Sequence, residues 1–231
     1  MATVIEIPKR AMSQVAFPLI ARAFEKNDFK DIQSLYQKTA INQFVIGSLL
    51  LIGIYINLDN IFVLMPKREI YEAGRWVVII VGIGKLTDML FGPSSEIVVL
   101  SRYYWFNMVL IIFLAATVIV ANNILIPIYG INGAAMGAAL ALILFNVAKF
   151  FFILWKLKMQ PFNVAFLKVL IIGCLTLALD WVIPKIDFVI LDILVRSGCV
   201  TIFFAALILA TNVTPEANGL FRAGLKRIGL K

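Results

Sequence analysis

Lys85, Asp88, Gly92 and Glu96 fall at offsets of 0, 3, 7 and 11, so a helix carrying them gathers all four into one stripe. Thr87 and Ser95 lie beside it, in a segment otherwise built mainly of Val, Ile, Leu and Gly. Charges in so apolar a run are costly and need either one another or a watery path, which makes them the first candidates for function. Two readings stay open. In one, the stripe lines a transport pathway and meets a charged substrate or coupling ion, with Asp88 and Glu96 as the ion-coupling groups. In the other, Lys85 and Asp88 neutralise each other and Glu96 reaches the inner membrane interface. Lys9, Arg10 and Gln14 form a second set. Adjacent cations followed one turn later by an amide suit phosphate oxygens, which guanidinium geometry matches well. The alternative is that both cations snorkel to the outer headgroups. Asp192 and Arg196, four residues apart, read as a structural ion pair. Lys149, three residues after Asn146, reads as a topological cation snorkelling to the inner interface.

What is missing narrows the chemistry further. The chain has no histidine, which excludes His-based triads, His metal sites and His proton relays. Cys174 and Cys199 both sit in apolar runs, where free cysteine behaves as a small hydrophobe, so no disulfide is expected. The sequence contains no Gly-rich phosphate loop, no metal-ligand cluster and no nucleophile elbow. The expectation is a protein that is not an enzyme and needs neither cofactor nor metal.

The elements that must position these residues are helices in lipid. Of 231 residues 62% are hydrophobic and 15% charged, with mean hydropathy +0.97, far from the balance of a water-soluble domain. In a bilayer every backbone polar group must be paired internally, and these runs are long and continuously apolar, so helices are favoured over barrel strands. The spacing predicts an all-α polytopic membrane bundle of about seven spans, near residues 7–24, 40–57, 76–100, 103–121, 131–155, 165–183 and 188–211, followed by a basic cytoplasmic tail over 212–231. The first span is poor, broken by Pro8, Lys9, Arg10 and Pro18 with Glu6 just before it, and needs neighbours or a watery cavity. Residues 25–38 read as an amphipathic linker, with Phe29, Ile32, Leu35 and Tyr36 on the face of a short interfacial helix. Gly92 and Pro93 interrupt the third span, as happens where a span lines a polar cavity. Gly130, Gly133 and Gly137, with Ala134, Ala138 and Ala141, offer a small-residue ridge for close helix packing.

The net charge of +8 points to membrane topology and anionic headgroups, not to nucleic acid, because the cations sit at the ends of apolar runs. Arg22, Lys26, Lys30 and Lys38 mark one connector, and Arg102 another on the same side. Lys156, Lys158 and Lys168 mark a third, and Arg222, Lys226, Arg227 and Lys231 the C-terminal tail. The positive-inside rule puts all of these in the cytoplasm, leaving Lys67, Arg68, Arg75 and Lys185 outside. Met1–Pro8 carries no basic run ahead of an apolar core and does not read as a secretory signal.

Three stretches together resemble a known family. They are Ile7-Pro8-Lys9-Arg10-Ala11-Met12-Ser13-Gln14 running to Phe24; Lys85-Leu86-Thr87-Asp88-Met89 through Gly92 and Glu96 to Ser101-Arg102-Tyr103-Tyr104; and Ile126-Pro127-Ile128-Tyr129-Gly130-Ile131-Asn132-Gly133-Ala134-Ala135, leading to Lys156–Phe162. The pattern resembles the C-terminal part of bacterial polysaccharide (O-antigen-type) flippases of the multidrug/oligosaccharidyl-lipid/polysaccharide exporter superfamily. The resemblance implies a lipid-linked oligosaccharide on undecaprenyl diphosphate, turned across the bacterial inner membrane by alternating access between two lobes. It also implies a polar, cationic cavity, to which Lys9, Arg10 and Lys85 would belong. Such proteins are about twice this length, so the chain is expected to be a C-terminal portion whose partner is the first lobe or another transporter half, with membrane lipids around it. The rival readings are a multidrug-extrusion-type fragment, a non-transport scaffold for glycan assembly, and a membrane transferase acting on lipid-linked sugars. The last is disfavoured because no outer loop gathers carboxylates or histidines.

Overall fold

The computed structural model describes residues 2–66, 72, 74–184, 186–214 and 218–219. Among these residues there is no strand. After a 3-10 turn at Ala2–Ile5 the chain forms α1 (Glu6–Glu25), α2 (Phe29–Ile56), α3 (Leu58–Leu64), α4 (Arg75–Leu90), α5 (Ser94–Leu100), α6 (Tyr104–Tyr129), α7 (Ile131–Leu157), α8 (Val164–Ala178) and α9 (Val189–Ala210). The all-α membrane bundle expected from the sequence is what the chain forms. At ~1.5 Å per residue a helix of about twenty residues crosses the hydrocarbon core. Helices α2, α6, α7 and α9 meet that length, as does α8 when extended through the 3-10 turn at Leu179–Trp181.

About seven spans are expected; among the described residues five helices are long and apolar enough to cross a membrane, or six if the bent pair α4 and α5 counts as one span. Residues 7–24 form a helix, α1, which Lys9, Arg10 and Arg22 make more polar than these. The 25–38 linker is corrected. It does not lie apart in the interface, because α2 runs unbroken from Phe29, started by the Asp28 carboxylate accepting from the Asp31 N–H at 3.0 Å. Its apolar face is turned into protein: Ile32 and Tyr36 are fully buried against Ala16, Ile20 and Ala23 of α1, Ile97 and Val98 of α5, and Ile153 of α7. Phe29 stays half exposed.

A second core joins α2 to α8 and α9 through Phe44, Ile52, Phe166, Val169, Val200 and Phe204. Val213 belongs to it and Thr214 is buried beside it, so the chain stays packed for a few residues beyond α9. The basic residues of the tail, and Lys67, Arg68 and Lys185, lie outside the described residues. Helices α6 and α7 pack as a hairpin turned at Gly130, whose φ of 56° and ψ of −131° suit glycine alone. A Cβ on Gly133 would strike the Leu125 carbonyl, and one on Gly137 the Asn122 side chain, so the small-residue ridge works as packing. Outside these cores the bundle is greasy. Trp181, Trp155, Val164, Ile202 and Met108 are each more than two-thirds exposed, a surface that only lipid or another apolar partner satisfies.

The helix break expected at Gly92-Pro93 is present. α4 stops at Leu90, α5 begins at Ser94, and the two are bent by 48°. Gly92 sits at φ +54°, and a Cβ there would lie 2.6 Å from that of Ala40 on α2. Both the backbone turn and the close approach to α2 require glycine.

Candidate functional site

The bend and the polarity of α1 meet at one seam. Lys85 on α4 pairs with Glu6 on α1, and three residues on, Asp88 pairs with Lys9. Both pairs join residues 79 apart in sequence, so the start of α1 and the later part of α4 face each other with their chains running in the same direction. Glu6 also accepts from Arg10 at 3.2 Å, one turn along its own helix. Each helix supplies one cation and one carboxylate with i, i+3 spacing, and the order of signs is reversed between them. The result is a two-rung ladder of opposite charges. Its side chains are neither sealed nor free: 19% and 28% exposed for Glu6 and Lys85, 20% and 12% for Lys9 and Asp88.

Behind the ladder the polarity continues inward. Asn146 of α7 donates Nδ2 to Asp88 Oδ1 at 3.0 Å and to the Leu142 carbonyl at 2.9 Å. One turn along α7, Lys149 is 1% exposed, donates to Ser95 Oγ at 2.7 Å, and lies 4.2 Å from the centre of the Phe145 ring. Its charge is attracted by Asp88 and Glu96 and repelled by Lys9. A buried ammonium is tolerable only with such neighbours. The expectation that Lys149 snorkels to an interface is therefore corrected: it is an interior cation of the same network.

The stripe Lys85–Asp88–Gly92–Glu96 stays together, but its internal pairing differs from one of the two sequence readings. Lys85 and Asp88 each take a partner from α1 instead of each other. Glu96 is half-buried on α5, past the bend. Of the second set, Lys9 is committed to Asp88, while Arg10 keeps three-quarters of its side chain exposed and Gln14 is exposed. The network carries both signs: four cations (Lys9, Arg10, Lys85, Lys149) face three carboxylates (Glu6, Asp88, Glu96).

Sequence reasoning missed Glu6, Asn146 and Lys149 as members. The available signal was the i, i+3 placement of Asn146 and Lys149 on an otherwise apolar helix, the spacing that flags the stripe on α4. It also missed Gln43, wholly buried on α2 with neither amide atom hydrogen-bonded.

The Asp192–Arg196 pair is confirmed and enlarged. Arg196 Nε donates to Asp192 at 2.8 Å, its other nitrogens reach Asp180 and the Ile183 carbonyl, and Asp192 accepts from Asn60 and from the Ile186 N–H. This network ties α3, α9 and the 3-10 turn after α8 together and is structural. Cys174 and Cys199 are free and exposed on apolar helices. No group of His, Cys, Asp or Glu among the described residues is arranged to hold a metal.

No protein-family model, curated protein or solved structure matches this chain.

Proposed function

We propose that this chain is a membrane transport protein of the polysaccharide-flippase type, working as one lobe of a two-lobed transporter. Its cargo in this reading is an oligosaccharide carried on undecaprenyl diphosphate, moved across the bacterial inner membrane with the C-terminus of the chain in the cytoplasm. The reading rests on the resemblance carried by the Lys9-Arg10, Lys85–Asp88 and Tyr129–Ala135 stretches, and one observation supports it above the others. A ladder of charged groups, continued inward by Asn146 and Lys149, runs through a largely apolar bundle beside the bent helix pair α4 and α5. Ionisable groups at membrane depth mark pathways for charged cargo or ions far more often than they serve packing.

The mechanism follows from competition. Lys9 and Lys85 are paired with carboxylates, and a diphosphate offers the same cations more negative charge. Cargo binding would release Asp88 and Glu6, and the freed carboxylates would then take up a coupling cation or proton. A state that prefers cargo on one side and the α1–α4 ion pairs on the other supplies the differential affinity that alternating access needs. The partner would be the first lobe or another transporter half, closing over the exposed side of α1, where Ile7, Val15 and Phe17 lie bare.

The test is chromosomal replacement of Lys9 and Arg10 by Ala in the producing cell, with protein level and surface polysaccharide measured together. The expected result is a clear loss of polymer at unchanged protein level. Normal polymer would dismiss the assignment. A chain that is needed for polymer but indifferent to these charges would be a scaffold instead.

A further inference from the structure

Three cations from two connectors far apart in the sequence converge on one pocket. Arg102, at the start of the turn into α6, and Lys156 and Lys158, at the end of α7, line a space of about 530 Å³. That volume is within the usual range for small-molecule sites, about 300–1,000 Å³. None of the three has a carboxylate partner among the described residues. Arg102 donates to the Tyr103 hydroxyl at 2.7 Å, and Lys156 lies 4.1 Å from the centre of the Trp155 ring. Among the described residues no carboxylate lines the space. Glu25 and Asp28 are close in sequence to its Asn27 wall but do not line it, and Asp28 is occupied in capping α2. Phe24, Phe29, Leu100 and Leu157 give the rest of the lining a largely apolar character.

A second space, of about 640 Å³, shares Lys156 with the first and is walled by Tyr103, Trp105, Phe106, Phe151, Phe152 and Trp155. Phe106 and Phe152 stack there at 3.7 Å. A cationic pocket joined through one lysine to an aromatic cleft has the two chemistries of a phospholipid. The first suits a phosphodiester, the second the upper part of an acyl chain. A soluble phosphate would use only the first.

We propose that this double pocket is a binding site for an anionic membrane phospholipid, its phosphate held by Arg102, Lys156 and Lys158 and a chain lying along the aromatic cleft. The site is separate from the α1–α4 ladder and does not depend on the transport reading. Basic pockets between helix ends are common seats for anionic headgroups, and each cation near such a surface contributes enough to make a threefold site selective.

The experiment uses the whole chain in bilayer discs containing equal phosphatidylglycerol and phosphatidylcholine, with retained lipid counted by native mass spectrometry. Phosphatidylglycerol should be retained over phosphatidylcholine by about tenfold or more. The triple variant Arg102→Ala, Lys156→Ala, Lys158→Ala should lose that preference. The charge-keeping triple Arg102→Lys, Lys156→Arg, Lys158→Arg should keep it, which separates lost charge from lost fold. Lys26→Ala with Lys30→Ala, on the same rim but outside the pocket, should also keep it. Equal retention of the two lipids, or an unchanged preference in the neutralised triple, overturns the site. Displacement of bound lipid by millimolar inorganic phosphate overturns the lipid assignment.

Discussion

Breaking one rung of the α1–α4 ladder should cost an amount that its burial sets in advance. Exposed ion pairs contribute about 0.2–1 kcal/mol, while removing one partner of a fully buried pair costs about 3–5 kcal/mol. Lys9 and Asp88 are 20% and 12% exposed, nearer the buried limit, and Asp88 also holds Asn146. A coupling energy of about 2 kcal/mol is therefore expected from a double-mutant cycle of Lys9→Met and Asp88→Leu, with each single variant losing more than the double. The natural control is the Arg75–Asp59 pair at 2.9 Å, whose side chains are 39% and 55% exposed. Its cycle should give about 0.5 kcal/mol or less. The assay is reversible unfolding in bicelles, followed by the trapping of separated helices with a bulky tag. A Lys9–Asp88 coupling no larger than that of Arg75–Asp59 would refute the ladder as an interior feature and with it the argument that α1 is held by charge.

Two other outcomes follow from geometry. Gly92→Ala should destabilise by roughly 2 kcal/mol or more, combining a left-handed backbone cost of about 1–2 kcal/mol with the clash against Ala40, whereas Gly53→Ala, in open space within α2, should be neutral or stabilising by up to about 1 kcal/mol; the same unfolding assay compares them. Arg196→Ala leaves Asp192 and Asp180 without their cation and should cost about 3–5 kcal/mol, with Asp180→Asn, at the more exposed end, costing less; thermal melts in detergent give the order.

A run of apolar residues long enough to cross lipid leaves the backbone no alternative to helix, so the helices from residue 40 onward could be read with no knowledge of their neighbours. The break at Gly92-Pro93 could be read for the same local reason, since these residues carry their backbone limits with them. The i, i+4 pair of Asp192 and Arg196 is set by helix geometry alone, and so are the small faces of Gly133 and Gly137. Partners across helices are another matter. Nothing local says that Lys85 meets Glu6, 79 residues away, in preference to Asp88, three residues along its own helix. That choice was made when α1 lay parallel to α4 and put an opposite charge at each rung. The fate of Lys149 was decided in the same way: a long cationic side chain near a helix end snorkels if water is within reach, and here Ser95 and the Phe145 ring enclose it first. The amphipathic face of residues 29–36 looked suited to a membrane surface because periodicity records that a face is apolar but not what covers it. Only packing against α1, α5 and α7 settled that the cover is protein. Sequence thus fixes what each segment can tolerate, through costs paid within a few residues, and tertiary structure decides which charges meet, because that depends on distances no local pattern contains.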